Sequence, residues 1–457
     1  MALLSLAIII ASLLPIRTYG ISHSVGVFFI FICFYWSFNS LVLKSVFFQP
    51  LDSFLYSPTL SYLIVFLAIL GASLGALGTS ILLPYFSPPR WQKVPAGALA
   101  PISIVSLFIG LSSMIVAKMG VVGEAASVFL AAFLLLALIS ELARVMIINK
   151  SKKGMSIWAA VLVIILVILS ISHNTKFLLF AAPLSYVVTI FSFKGRFRVS
   201  HFVLGAGAII FLSSVAFPAI TYIARGKRDI STPVELIAYT TDAMVKLATG
   251  DKGIRQQLEA REARSLRAAG LFRYDVPYTR QFPLFFERFV LVPYVDAVAR
   301  VFSVKGPFAG TSFVTSQITD VLPSFLNPNK KEIYSGNVIV SQLGLQDPNF
   351  EGYPTIGWPA EAFYANGLLF TIASSFVLFL IFTGFLAIFV GRMEWNIFAI
   401  YICVRYFHLL SSGVFGSYIF FMLRQLPVDI LLFILIKSVS SAFLRHKPHK
   451  IVGSQAT

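Results

Sequence analysis

The chain is 457 residues long, 58% hydrophobic and only 12% charged, with a mean hydropathy of +0.85 and a formal net charge of +17. One or two soluble cores could not hide that much apolar surface, so the composition excludes an ordinary soluble protein and makes lipid the solvent for most of the chain. The two cysteines, Cys33 and Cys403, both lie in apolar stretches and offer neither a disulfide framework nor a zinc spacing.

The predicted spans begin with apolar runs at roughly 2–16, 24–47, 58–86, 96–117, 122–148, 155–172, 176–193 and 201–224, and resume after an interruption at about 362–390, 395–413 and 416–440. Each is near the ~20 residues that a bilayer requires, which gives an all-α polytopic membrane protein of about eleven helices. The long third run leaves room for tilt or a break at Gly71, Gly75 and Gly78. No Lys or Arg precedes the first run, which makes it a poor signal peptide and a retained helix.

Basic residues fall in alternate loops: Arg17; Arg90 and Lys93; Lys150, Lys152 and Lys153; Lys194, Arg196 and Arg198; Arg392; then Arg445, Lys447 and Lys450. The opposite loops hold little beyond Lys118 and Lys176. The positive-inside rule therefore predicts an outer N-terminus, a cytoplasmic C-terminus and an odd number of spans. Four regions follow: spans over 1–224, a large outer loop over 225–361, spans over 362–440 and a cytoplasmic tail over 441–457.

Within that loop, acidic and basic residues nearly balance. Residues 233–248 have helical apolar spacing after Thr232-Pro233, and 252–269 are charged helix formers ending at Gly270. Residues 281–303 are apolar enough to lie on the membrane surface or plug between helices, and 304–360 read as irregular. Irregular segments of that length are uncommon and often functional.

The sequence contains no Walker A motif, GxGxxG, HExxH or GxSxG, and no metal cluster. What remains are cations at the outer face, suited to a phosphate-bearing lipid headgroup. Arg225, Lys227 and Arg228 form a basic cluster where the positive-inside rule disfavours one. Arg405 and His408 are three apart and share a helix face toward the outer half of their span, and Arg424 lies within the last span about two turns from its outer end. Glu141 and Arg144 read as a structural neutralising pair near the cytoplasmic end, and Asp429 is placed in the same inner-half class.

The stretch LPSFLNPNKKEIYSGN, followed by GYPTIGWPAEAFYANGLLF, resembles the Wzy-type polymerases of O-antigen and exopolysaccharide repeat units. Pro323, Pro328, Lys330 and Lys331 look like the family's Pro- and Lys-containing loop end. Gly357, Glu361, Tyr364, Asn366 and Gly367 look like the Glu–aromatic–Asn-Gly element at re-entry into the membrane. The motif covers about fifty residues, and the architectural likeness covers the whole chain.

The resemblance implies a GT-C-like glycosyltransferase at the outer face of a bacterial inner membrane. It would transfer a glycan from undecaprenyl diphosphate to another lipid-linked repeat unit, without cofactor or metal. Lipid-linked oligosaccharides and membrane lipids would be its partners, with a chain-length regulator and flippase of the same pathway, and no nucleic acid. Arg225, Arg228, Arg280, Arg288, Lys330, Arg405 and Arg424 would bind the diphosphate, and Glu361 or His408 would act as base. Phe282, Phe285, Phe286, Tyr334 and Trp358 would stack sugars or form a core under the loop. The rival readings are an O-antigen ligase, which shares architecture and donor, a lipid-linked oligosaccharide flippase, and a non-catalytic scaffold. A flippase predicts short loops and internal repeats, neither of which the sequence has.

Overall fold

In the computed structural model, the described residues form continuous stretches over 1–83, 90–118, 129–150, 155–172, 176–195, 233–250, 290–305 and 356–445, with isolated positions between 207 and 260 and at 339. These residues are helical almost throughout. The twelve helices used below are α1 (Ala2–Tyr19), α2 (Ser24–Cys33, a π-helical turn Phe34–Phe38, then Asn39–Val46), α3 (Pro58–Leu82), α4 (Leu99–Lys118), α5 (Phe133–Ile148) and α6 (Ile157–Ser172). They continue with α7 (Lys176–Ser192), α8 (Pro233–Ala248), α9 (Val292–Lys305), α10 (Gly357–Phe385 and a π turn Leu386–Val390) and α11 (Ile397–Ser411). The last, α12, is composed of Phe415–Phe420, a π turn Phe421–Gln425 and Leu426–Arg445.

Among the described residues, seven helices are long and apolar enough to cross a membrane, and three shorter apolar ones cover Ile157–Ser170, Phe180–Ser192 and Ile397–Ser411. The chain is thus an all-α, multi-pass membrane protein. Ten of the eleven expected spans coincide with one of these helices; the run at 201–224 falls largely outside the described residues.

The loops expected on one side of the membrane meet at one end of the bundle. Ser24 N–H donates to Gly391 O and Met393 N–H to Ser22 O, joining the α1–α2 turn to the α10–α11 turn. Gln92 Nε2 reaches Phe389 O and receives Asn396 Nδ2, Lys194 lies 3.7 Å from Glu394, and Lys437 Nζ donates to Trp91 O. At this end His23 caps α2, its Nδ1 accepting from Val25 N–H. Burial, helped by the Arg392 guanidinium, lowers the His23 pKa from 6.5 to about 4.

At the opposite end, α9 plugs into the bundle with Val292, Val295, Val298, Ala299 and Val301 fully buried. Of the two options for 281–303, the described part takes the second. Asp296 fixes the plug: its carboxylate accepts from Tyr56 N–H, Ser57 N–H and Ser61 Oγ, capping the entry to α3 from another segment of the chain. Arg300 lies 3.7 Å over the Tyr56 ring.

Of the tilt or break for which the third run left room, there is no break at the glycines: α3 runs unbroken for 25 residues. Its glycines instead let α10 approach at backbone distance. A Cβ on Gly71 would collide with Ile372 O, and one on Gly75 would lie 2.5 Å from Phe376 O. Thr79 Oγ1 then donates to Leu380 O at 2.8 Å and pairs with Thr383 Oγ1.

Helix α10 does break. Asn366 (φ −161°, ψ 32°) and Gly367 (φ +75°, ψ −163°) leave helical geometry, the latter in a region open essentially to glycine alone. The Trp358 and Phe379 rings are 4.9 Å apart, whereas a straight helix would separate them by roughly 30 Å. Residues 357–365 therefore fold back along 368–385.

Candidate functional site

The short first half of α10 carries the most distinctive part of the sequence, GWPAEAFYA, and every residue from Gly357 to Ala365 is buried. Its entry is held by three contacts. Gly357 takes φ +73° against the Trp36 ring, Trp358 N–H donates to Gly413 O at 2.7 Å, and Trp36 Nε1 donates to Ser411 O at 2.8 Å. The plug closes over the far side, with Phe302 and Phe363 rings 4.4 Å apart.

Glu361 is fully buried in this half-helix, and its Oε2 accepts from Phe415 N–H at 2.5 Å. Phe415 is the first residue of α12, so the carboxylate faces the positive end of that helix. Tyr418, one turn further along α12, packs on Phe379, Phe382 and Phe28 and closes an aromatic wall beneath the carboxylate.

Arg405 sits deeper, on α11, with 6% of its surface exposed. Its Nη1 donates to Asp429 Oδ1 at 2.7 Å and to Tyr401 Oη, and its Nη2 donates to Phe129 O at 2.9 Å. Asp429 also accepts from Tyr401 Oη at 3.1 Å and Tyr406 Oη at 2.6 Å. The Phe129 and Tyr406 rings flank the guanidinium at 4.2 and 4.9 Å. A buried guanidinium and a buried carboxylate each cost several kcal/mol to desolvate, and this network compensates both. Arg405 and Asp429 thus lie at one depth, although the sequence reading assigned them to opposite halves of the membrane. The expected Arg144–Glu141 pair forms as a two-bonded fork at 2.7 and 2.8 Å, with Ser156 Oγ as a further donor.

Arg424 lies on the π turn of α12, is exposed at the surface of the span, and stands 5.0 Å over the Phe420 ring. His408 is half-buried one turn from Arg405, and its carbonyl accepts from Ser411 and Ser412 hydroxyls. Arg225, Arg228, Arg280, Arg288 and Lys330 lie outside the described residues, as do Lys331 and the loop aromatics Phe282, Phe285, Phe286 and Tyr334.

Of the expected site residues, Glu361 and Arg405 act at neighbouring parts of α12, through Phe415 at its start and Asp429 further down. Two residues escaped the sequence reading: Asp296, the tether of the plug, and Asp429 as the partner of Arg405. For Asp429 a signal existed, since one apolar run with an arginine and the next with an aspartate invite pairing across the turn. For Asp296 none did, because its partners, two backbone N–H groups and the Ser61 hydroxyl, lie far away in the chain.

The chain matches no family model, no curated protein and no solved structure.

Proposed function

We propose that this protein is a polymerase of lipid-linked oligosaccharide repeat units, with eleven spans, an outer N-terminus, a cytoplasmic C-terminus and residues 225–361 as an outer loop, resident in a bacterial inner membrane. The observation that carries this reading is the fold of IGWPAEAFYANG, residues 356–367. The stretch that resembles the polymerases tucks back into the bundle at Asn366–Gly367 and buries Glu361 beneath the loop plug.

In this reading a hydroxyl oxygen of the acceptor sugar attacks the anomeric carbon of the donor. The bond from that carbon to the diphosphate oxygen breaks, and undecaprenyl diphosphate leaves with the bonding pair. Glu361, whose Oε2 accepts from Phe415 N–H, takes the hydroxyl proton. His408 is the alternative base. Arg424, exposed on the last span, meets the diphosphate together with Arg225, Arg228, Arg280, Arg288 and Lys330. Arg405, with its guanidinium engaged by Asp429, positions α12.

Deleting the gene in its native host and resolving surface and lipid-linked glycans on a gel tests the proposal. Loss of long chains with single repeat units retained is the expected result. Long chains persisting on the carrier lipid would make the protein a ligase, loss of outer-face units a flippase, and an unchanged ladder would remove it from glycan assembly.

A further inference from the structure

The spans α2, α10 and α12 are each interrupted by a π-helical turn, and two of these turns have an evident use. A π turn widens the helix by one residue and frees carbonyls from the ladder. In α2, Tyr35 O receives Leu291 N–H from the entry to the plug. In α10, Phe389 O receives Gln92 Nε2 and Leu386 O receives Ser24 Oγ. Both turns serve as joints to other segments. The third, Phe421–Gln425 in α12, closes with Leu426 N–H on Phe421 O and has no such joint among the described residues.

Its consequence is a change of face. Tyr418, above the turn, packs on α10 through Phe379 and Phe382 at 5.3 and 5.0 Å. Asp429, below it, faces α11 through Arg405 and Tyr406. In an unbroken α-helix these two positions would point within about 20° of each other; one extra residue in the turn opens that to about 80°. The same insertion brings Phe421 and Asp429 to within about 20°, and Tyr406 spans both, its ring 5.0 Å from Phe421 and its hydroxyl on Asp429. The helix is pinned by polar contacts on either side of the fault: Glu361 on Phe415 N–H above, and Arg405 with Tyr401 and Tyr406 on Asp429 below.

We infer that these two pins hold α12 out of α-helical register, and that Arg424 faces outward because it rides on the turn they maintain. Arg405, Asp429, Tyr401 and Tyr406 are then positioning residues for Arg424. What Arg424 meets there rests on the reading above, whereas the register of the helix does not.

Register is read by cross-linking. Phe398 of α11 and Phe433 of α12 have ring centroids 4.9 Å apart. In a Cys33→Ser, Cys403→Ala background, Phe398→Cys with Phe433→Cys should cross-link efficiently in membranes, and Phe398→Cys with Leu432→Cys poorly. Adding Asp429→Asn releases the lower pin, the turn relaxes to α-helix, and the lower half advances by one residue. The cross-link should then fall about tenfold at 433 and rise at 432. Deleting Gln425 from the same variant removes the extra residue and should return the cross-link to 433. If Asp429→Asn does not accumulate, Arg405→Met with Asp429→Leu removes both charges of the lower pin together, leaving none buried unpaired, and should give the same shift. A cross-link that stays at 433 in the folded variants overturns the inference. Because no glycan enters the measurement, it fails or succeeds separately from the proposed function.

Discussion

Helices α3 and α10 lie side by side, and each contains glycine in mid-helix, yet only α10 breaks. On α3, Gly71 and Gly75 retain helical geometry because their missing side chains are filled by the α10 backbone, whose carbonyls occupy the space of the absent Cβ atoms. On α10, Gly367 has nothing within 4 Å of its would-be Cβ; its necessity is φ +75°, a conformation that L side chains rarely adopt. One helix uses glycine for space and the other for rotation. The difference follows from what each glycine must accommodate, a neighbouring helix in one case and a reversal of the chain in the other.

That contrast can be broken first at α3. Gly75→Val places a Cβ 2.5 Å from Phe376 O and 2.8 Å from Leu380 N and adds two methyl groups to it, and the backbone cannot yield as a side chain could. We expect a loss of about 3 kcal/mol or more, or failure to accumulate, read by unfolding in detergent micelles. Gly367→Ala should cost less, about 1–3 kcal/mol, as pure backbone strain. The sharper observation is position: a Gly367→Ala cost comes without a steric partner, so no second substitution on α3 should rescue it. Gly97→Ala, with nothing within 4 Å and no positive φ, should be near neutral. If Gly97→Ala and Gly367→Ala proved equal, rotation would not be what Gly367 provides.

The same pair of helices shows what a sequence can disclose. Hydropathy placed both as spans, and the helix over 233–248 appears at the expected bounds, because apolar spacing and a Thr-Pro start are local signals. The Asn366–Gly367 break was not legible, because both residues fall inside the apolar run at 362–390 that hydropathy treats as one span. Nor was the purpose of Gly71 and Gly75, since spacing alone cannot separate a breaker from a close-packing surface; the partner helix lies almost 300 residues away. The site divides likewise. Arg405 and Arg424 stood out as ionisable residues in apolar runs, but which was paired with a carboxylate and which exposed depended on the rotation imposed by a π turn, for which no residue pattern was available.

A smaller effect sharpens how α3 and α10 stay together once the glycines have let them meet. Thr79→Val keeps the branched shape but removes the hydroxyl that binds Leu380 O and Thr383 Oγ1. Interhelical hydrogen bonds in membranes average under ~1 kcal/mol, so a loss of about 1 kcal/mol is expected, the Thr383 hydroxyl keeping its bond to Phe379 O. Thr79→Val combined with Thr383→Val should cost less than the sum of the two single changes, because each single change already removes the same hydroxyl pair. Additive losses in the pair would argue that the two hydroxyls do not act on one another.

The last effect, spread over a pH range, lies at the far end of α10, where its exit turn is stitched to the α1–α2 turn around His23. The His23 imidazole caps α2 as an acceptor, with the Tyr19 ring 4.9 Å away and the Arg392 guanidinium disfavouring its protonation. Its folded pKa of about 4 lies below the unfolded 6.5, so between these values the unfolded chain binds more protons. Stability is therefore full above about pH 6.5, falls as the pH drops toward 4, and levels off below. Partial exposure holds the total to less than about 2 kcal/mol. His23→Asn retains a side-chain oxygen for the Val25 N–H while removing the titration. Unfolding followed from pH 7.5 to 3.5 should show this part of the slope in the parent chain and not in the variant, and the two curves should meet near neutral pH. Equal slopes would mean that protonation of His23 does not reach the stitch, and that the other bonds at this end, Ser24 Oγ to Leu386 O and Gln92 Nε2 to Phe389 O among them, secure α10 without it.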